Sequence, residues 1–256
     1  MDKLAEKTAL ITGGALRLGR AMALALAARG ANVAVHYNRS ERQADELVDE
    51  LTAMGVRASA LAADLSDETA VKTLLARAVE TVGPLDILVN SASIYEGGRV
   101  LDLTAEDLSR HVQINALAPL ELARAFAAQK RPGHIINFLD ATVLDQDASH
   151  AAYHLSKRML LQLTQLLAVE LAPAVAVNAI APGLIIPPPG EPADAYDKLT
   201  WTNPMHKVGS VEAIVHAAMF LLESDFITGQ VIFVDGGRHL KRLMPRHGRP
   251  PADHGQ

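Results

Sequence analysis

Tyr153 and Lys157 stand four residues apart in Ala-Ala-Tyr-His-Leu-Ser-Lys-Arg. On a helix, that spacing puts both side chains on one face. An ammonium there favours phenolate over phenol and pulls a pKa of about 10 towards neutrality. A tyrosine tuned in this way is a general acid or base. Far upstream, Thr12-Gly13-Gly14-Ala15-Leu16-Arg17-Leu18-Gly19 follows an apolar run and opens a helical pattern. Glycines let the backbone turn tightly and approach a pyrophosphate, while the helix start offers free N–H groups and partial positive charge. The loop departs from strict G-x-G-x-x-G, so taken alone it also fits an ordinary strand-to-helix turn. Its place after the first apolar run favours a dinucleotide.

The end of the second apolar run selects the dinucleotide. A carboxylate there would accept hydrogen bonds from the ribose 2′-hydroxyl of NAD. This chain has His36-Tyr37-Asn38-Arg39-Ser40, with no acid before Glu41. Arg39 by charge and Ser40 by its hydroxyl suit a 2′-phosphate, with Arg17 adding positive charge from the neighbouring loop. NADPH is therefore the expected cofactor. Asp64, in Ala-Ala-Asp-Leu65, fits two roles equally: acceptor from the adenine amino group, or N-cap of the helix that follows.

The elements that must position these groups follow from periodicity. Val/Ile/Leu-rich runs predict strands over 8–12, 32–36, 57–62, 86–90, 134–138, 174–180 and 231–234. Helical patterns cover 18–29, 41–54, 67–82, 105–130, 151–171 and 211–223. This alternation implies an α/β fold: a doubly wound parallel sheet covered on both faces. Helices 105–130 and 151–171 are apolar around much of their circumference, which predicts a subunit interface. The Pro-rich stretch 184–205 reads as a substrate lid within a domain spanning 1–240, and 241–256 as a partly disordered tail.

Composition narrows the function classes. A net charge of −5 argues against a nucleic-acid partner, and the absence of cysteine removes disulfides, thiolate metal sites and cysteine nucleophiles. Prolines interrupt the uncharged stretch 171–190, so no membrane span is expected there. The first residues carry no signal-peptide hydrophobic region, and a cytoplasmic protein is expected. His150 and His154 lie four apart, but no third ligand or second shell is evident, so they read as helix surface or interface rather than metal ligands. Asp145 and Asp147 read as a solvated loop.

Taken in order, the Thr12–Gly19 loop, Ala63-Asp64-Leu65, Asn90-Ser91-Ala92, Asn115, Tyr153-x-x-x-Lys157, Pro182-Gly183 and Val234-Asp235-Gly236-Gly237 resemble the short-chain dehydrogenase/reductase family over residues 6 to about 240. The resemblance implies a single seven-stranded Rossmann domain, usually assembled as a homotetramer. It implies that Tyr153 exchanges the proton, that Lys157 binds the nicotinamide ribose and tunes the tyrosine, and that Asn115 holds a relay water. It adds Gly13, Leu18, Gly19, Leu65, Asn90, Ser91, Ala92, Pro182, Gly183 and Leu184 to the cofactor contacts, beside His36, Tyr37 and Asn38.

Three departures carry further meaning. Arg17 replaces the middle loop glycine, Ser91 and Ser93 interrupt the usual Asn-Asn-Ala-Gly, and Asp140 stands where the family's catalytic serine falls, thirteen residues before Tyr153. These departures resemble pteridine reductases and bacterial dihydromonapterin reductases, also called alternative dihydrofolate reductases. Reducing a pterin C=N bond requires a proton on nitrogen as hydride reaches carbon, and an aspartate in a partly desolvated pocket can supply or relay it. The same resemblance places Tyr95 against the pterin rather than as a loop residue packed on the surface, and gives Ser93 a contact with pterin or cofactor and Arg17 a substrate contact. It matches Arg242 to an arginine that reaches a neighbouring subunit's pocket, the alternative being a solvated basic tail. The substrate expected is a pterin or folate. The competing readings are a 3-oxoacyl carrier-protein reductase, which Asp140 argues against, and a non-catalytic NADP sensor, which an intact Asn115, Tyr153 and Lys157 argue against.

Overall fold

Seven strands form one parallel sheet in the order β3-β2-β1-β4-β5-β6-β7. They are β1 (Thr8–Thr12), β2 (Asn32–Tyr37), β3 (Ala58–Ala62), β4 (Ile87–Asn90), β5 (Gly133–Phe138), β6 (Val175–Pro182) and β7 (Val231–Val234). The computed structural model describes residues 3–145, 148–188 and 190–243, the last three by backbone alone. The inner strands β1, β2, β4, β5 and β6 are buried on both sides because successive side chains face opposite layers, while the edge strands β3 and β7 are only partly covered. In β1, Ala9 and Ile11 enter one core while Leu10 enters the other. In β2, Val33 and Val35 are likewise separated from Ala34. The continuous apolar runs in the sequence are the signature of this double burial.

Helices α1 (Arg17–Ala27), α2 (Glu41–Ala53) and α7 (Val211–Glu223) cover the first core. Helices α3 (Glu68–Val82), α5 (Ala118–Ala128) and α6 (Ala151–Glu170) cover the second. The order of the sheet reverses at β1, where β2 and β4 flank it on opposite sides. The crevice beyond the carboxyl ends of strands at such a switch point is where open α/β sheets bind ligands.

One expected element is divided. The helix predicted over 105–130 is α4 (Ala105–Val112), a π-turn (Gln113–Leu117) and α5. A wider turn admits an extra residue into the helical ladder, and such turns concentrate at functional sites. The buried Asn115 occupies it. No helix among the described residues is long and apolar enough to cross a membrane.

Candidate active site

The Gly-rich loop is held from beneath. Gly13 adopts φ +62°, and a Cβ there would meet the Ala92 Cα at 2.9 Å. A Cβ on Gly19 would meet the Gly13 carbonyl oxygen at 2.1 Å. Both positions therefore require glycine, and the bare loop backbone lies open at the start of α1. Thr12 Oγ1 accepts the N–H groups of Ser91 and Ala92, each at 3.1 Å, which joins the loop to the end of β4.

His36 is a correction to the sequence reading. It is not part of the cofactor surface but is 2% exposed and braces the loop. Its Nδ1 accepts the Gly13 N–H at 3.1 Å, and its Nε2 lies 3.1 Å from the Ala63 carbonyl. Those partners demand the neutral ring with the proton on Nε2. Burial lowers its pKa from 6.5 to about 4, which holds that form.

A cleft of about 490 Å³ opens beside the loop. Tyr37, Asn38, Arg39 and Ser40 line one side, Asp64 and Ser66 another, and Glu96 and Arg110 a third. Asp64 Oδ1 accepts the Ser66 N–H at 2.9 Å and its hydroxyl at 2.7 Å, and these bonds lower its pKa. The N-cap of α3 is instead Asp67, which accepts the Thr69 N–H at 2.8 Å. Leu65 packs its side chain into the second core, and Leu18 packs partly against the first. Asn90 turns inward, and its Nδ2 donates to Asn137 Oδ1 at 2.8 Å. For these three, any contact with a ligand is left to the backbone. Leu184 is also buried, and Gly183 follows Pro182 so close to Asp235 that a Cβ would meet its Cα at 2.6 Å.

The chemical centre lies at the ends of β5 and α6. Tyr153 Oη donates to Asp140 Oδ2 at 3.1 Å, while Asp140 Oδ1 accepts the Thr142 N–H at 2.7 Å and its hydroxyl at 2.5 Å. Asp140 thus both organises the turn Ala141–Leu144 and faces the tyrosine. Lys157 is buried and donates to the Phe138 carbonyl at 2.7 Å, with its ammonium 5.8 Å from the centre of the Tyr153 ring. Burial lowers the lysine pKa to about 8, against the raising effect of Asp140.

The expected fall in the Tyr153 pKa is not what this environment produces. Burial, then the Asp140 carboxylate, raises it well above 10.0. Tyr153 is therefore held as the phenol, a stored proton rather than a ready base.

Asn115 is fully buried and bonded through its amide. Its Oδ1 accepts Ser93 Oγ at 3.1 Å and the Ile94 N–H at 2.9 Å, and its Nδ2 donates to the Ile94 carbonyl at 3.1 Å and Ser156 Oγ at 3.0 Å. All four hydrogen-bonding sites of the amide are filled by protein groups, so its side chain clamps the loop after β4 to α6.

Arg17, read as a cofactor and substrate contact, reaches the Pro-rich stretch 184–205. It occupies φ 54°, a left-handed position that glycine would fill without strain. Its Nη1 donates to the Pro187 carbonyl at 2.8 Å and its Nη2 to the Ile186 carbonyl at 2.9 Å. Tyr95 stands beside Tyr153 at a ring-centroid distance of 4.8 Å, and Ser93 Oγ donates to Asn115 Oδ1. The Arg242 side chain and Asp147 lie outside the described residues.

Three participants escaped the sequence reading. Tyr196 lies within electrostatic reach of Asp140, Arg17 and Arg238, and burial raises its pKa. An aromatic in the Pro-rich stretch 184–205, which also holds Trp201, is the signal that could have found it. Arg110 forms an ion pair at 2.8 Å with Glu96, on the loop of Tyr95. His150, read as surface or interface, stacks on Tyr95.

A Gly-rich loop at the sheet's switch point, with a buried tyrosine and lysine and a half-buried acid, defines a dinucleotide-dependent oxidoreductase. The chain belongs to the short-chain dehydrogenase/reductase family, since residues 14–239 match the family described as enoyl-(acyl carrier protein) reductase. It is 34% identical to the oxidoreductase UcpA of Salmonella typhimurium, over 94% of this chain and 97% of that protein. It is 31% identical to the 3-oxoacyl-[acyl-carrier-protein] reductase FabG of Staphylococcus aureus, over 91% and 98%. The FolM alternative dihydrofolate reductase 1 of Brucella canis, solved in complex with NADP, superposes with a TM-score of 0.88 at 31% identity, over 96% and 99%. Identities this similar do not choose between the named activities, so substrate must be argued from the site.

Proposed function

We propose that the protein is an NADPH-dependent reductase of the C=N bond of a dihydropterin or dihydrofolate. The observation that carries this reading is the hydrogen bond from Tyr153 Oη to Asp140 Oδ2 at 3.1 Å. The open glycine backbone and the Arg39–Ser40 wall fit a phosphorylated dinucleotide, and the Brucella canis relative holds NADP. NADPH supplies hydride when bound.

This chain's residues then manage the proton. As the substrate carbon is reduced, its ring nitrogen becomes strongly basic and takes a proton. The phenol of Tyr153, held protonated by burial, is the source. Asp140 accepts from that phenol and passes a proton to the nitrogen, so C=N becomes CH–NH. Lys157 keeps a positive charge beneath the pair below about pH 8. Tyr95 forms the wall against which a flat ring lies. In the same reading the protein is cytoplasmic and assembles as a homotetramer. Leu155, Leu166 and Val169 leave an apolar stripe exposed on α6 to serve as interface.

A second reading, reduction of a 3-oxoacyl thioester, draws on the Staphylococcus aureus relative. NADPH oxidation with dihydrobiopterin, dihydromonapterin, dihydrofolate and an acetoacetyl thioester separates the two. Turnover of a dihydropterin or dihydrofolate is expected, with Asp140→Asn lowering kcat by about 10²–10⁴-fold. Turnover of the thioester alone, or an Asp140→Asn rate and pH profile equal to wild type, overturns the proposal.

A further inference from the structure

The loop after β4 is fixed along its backbone. Asn115 binds it at Ser93 and Ile94, and Arg110 grips Glu96 through both carboxylate oxygens at 2.8 Å. Further on, the Gly98 N–H donates to the Ser149 carbonyl at 2.8 Å, and the Ala151 N–H donates to the Gly98 carbonyl at 3.0 Å. Those bonds tie the loop to the first residues of α6. They do not set the side-chain torsions of Tyr95, which is 49% exposed. Exposed rings hop between rotamers.

His150 adds a contact to the ring itself. Its imidazole lies parallel to the Tyr95 phenol, with centroids 4.3 Å apart and planes 8° apart. The same phenol meets Tyr153 edge to face, at 4.8 Å and 85°. His150 is itself held, since it is the N-cap residue of α6 and its Nδ1 lies 2.9 Å from Ser149 Oγ. The helix that carries Tyr153 therefore also presents, three residues earlier, the flat surface that orients Tyr95. A ring held this way meets a planar substrate without first losing rotamer freedom.

We infer that His150 is a positioning residue that fixes the plane of Tyr95 and thereby sets affinity for a flat heterocyclic substrate. The inference rests on the reading of Tyr95 as the substrate wall. It is tested with His150→Ala and His150→Phe in the NADPH-loaded protein, by kinetics and by NMR of ring-labelled tyrosine. Only four tyrosines contribute signals.

His150→Ala should raise KM for a dihydropterin about two- to tenfold, the range of a lost aromatic pair, with kcat and KM for NADPH little changed. His150→Phe, which keeps a stacking face, should restore KM. The Tyr95 ring signals should lose the shielding of the stacked imidazole in His150→Ala, and the Tyr153 signals should move with them. An unchanged dihydropterin KM, or a His150→Phe protein as impaired as His150→Ala, overturns the inference. Should the wild type reduce only the thioester, the proposed function fails and the tyrosine spectra alone decide: signals that stay in place on His150→Ala reject His150, and displaced ones uphold it.

Discussion

His36 makes a sharp test of how the Gly-rich loop is held. Its pKa is 6.5 in an unfolded chain and about 4 in the folded protein. Above pH 6.5 both states carry a neutral ring, and the two contacts to Gly13 and Ala63 contribute in full. As pH falls towards 4, the unfolded chain takes a proton that the folded ring refuses, so stability is lost. At about 1.36 kcal/mol per unit, the whole gap is worth roughly 3 kcal/mol, and about 2 kcal/mol of it has gone by pH 5. His36→Asn keeps an oxygen near the Gly13 N–H and drops the contact to Ala63, at a cost near 1 kcal/mol, but it cannot titrate. Urea unfolding of both proteins at pH 7.5 and pH 5 isolates the effect. Wild type should lose about 2 kcal/mol more than His36→Asn across that interval. Equal losses would refute the neutral, buried histidine and with it the account of the loop's support.

Other outcomes follow from the same geometry. Since burial lowers Lys157 to about 8, kcat/KM should decline above that pH as the ammonium is lost; a profile flat to pH 10 would remove the charge from the mechanism. Arg39→Ala should weaken NADPH by about 1.5–3 kcal/mol while leaving NADH nearly untouched, measured as binding to each cofactor; equal weakening would displace Arg39 from the 2′-phosphate. Light scattering at micromolar concentration should give a tetramer's mass, and charging Leu166 and Val169 together should reduce it. A monomer in the wild type would refute the interface.

The centre of the sheet is legible in sequence because burial on both faces writes an unbroken apolar run at the inner strands, as in Ala-Leu-Ile of β1. The Tyr153–Lys157 and Gly13–Gly19 motifs are legible because their chemistry depends on local spacing. What escapes is decided by partners distant in sequence. Pro119, four residues beyond Asn115, removes a helical N–H but does not by itself announce the π-turn, where the bonds to Ser93, Ile94 and Ser156 hold the wider geometry. Sequence shows that Tyr153 lies one turn from a lysine, but not that burial and Asp140 outweigh that charge. His36 sits where a ligand contact is expected, and only the fold shows its ring pointing into the protein. His150 offers a helical spacing to His154, whereas its stacking partner, Tyr95, comes from another loop.

The Arg17 grip has a consequence for how such a protein can change. Both of its acceptors, at Ile186 and Pro187, are backbone carbonyls, which every residue type possesses. The side chains of the Pro-rich stretch can therefore diverge in size and polarity without unfastening it from the Gly-rich loop. Substitutions there can accumulate while the fastening is inherited unchanged.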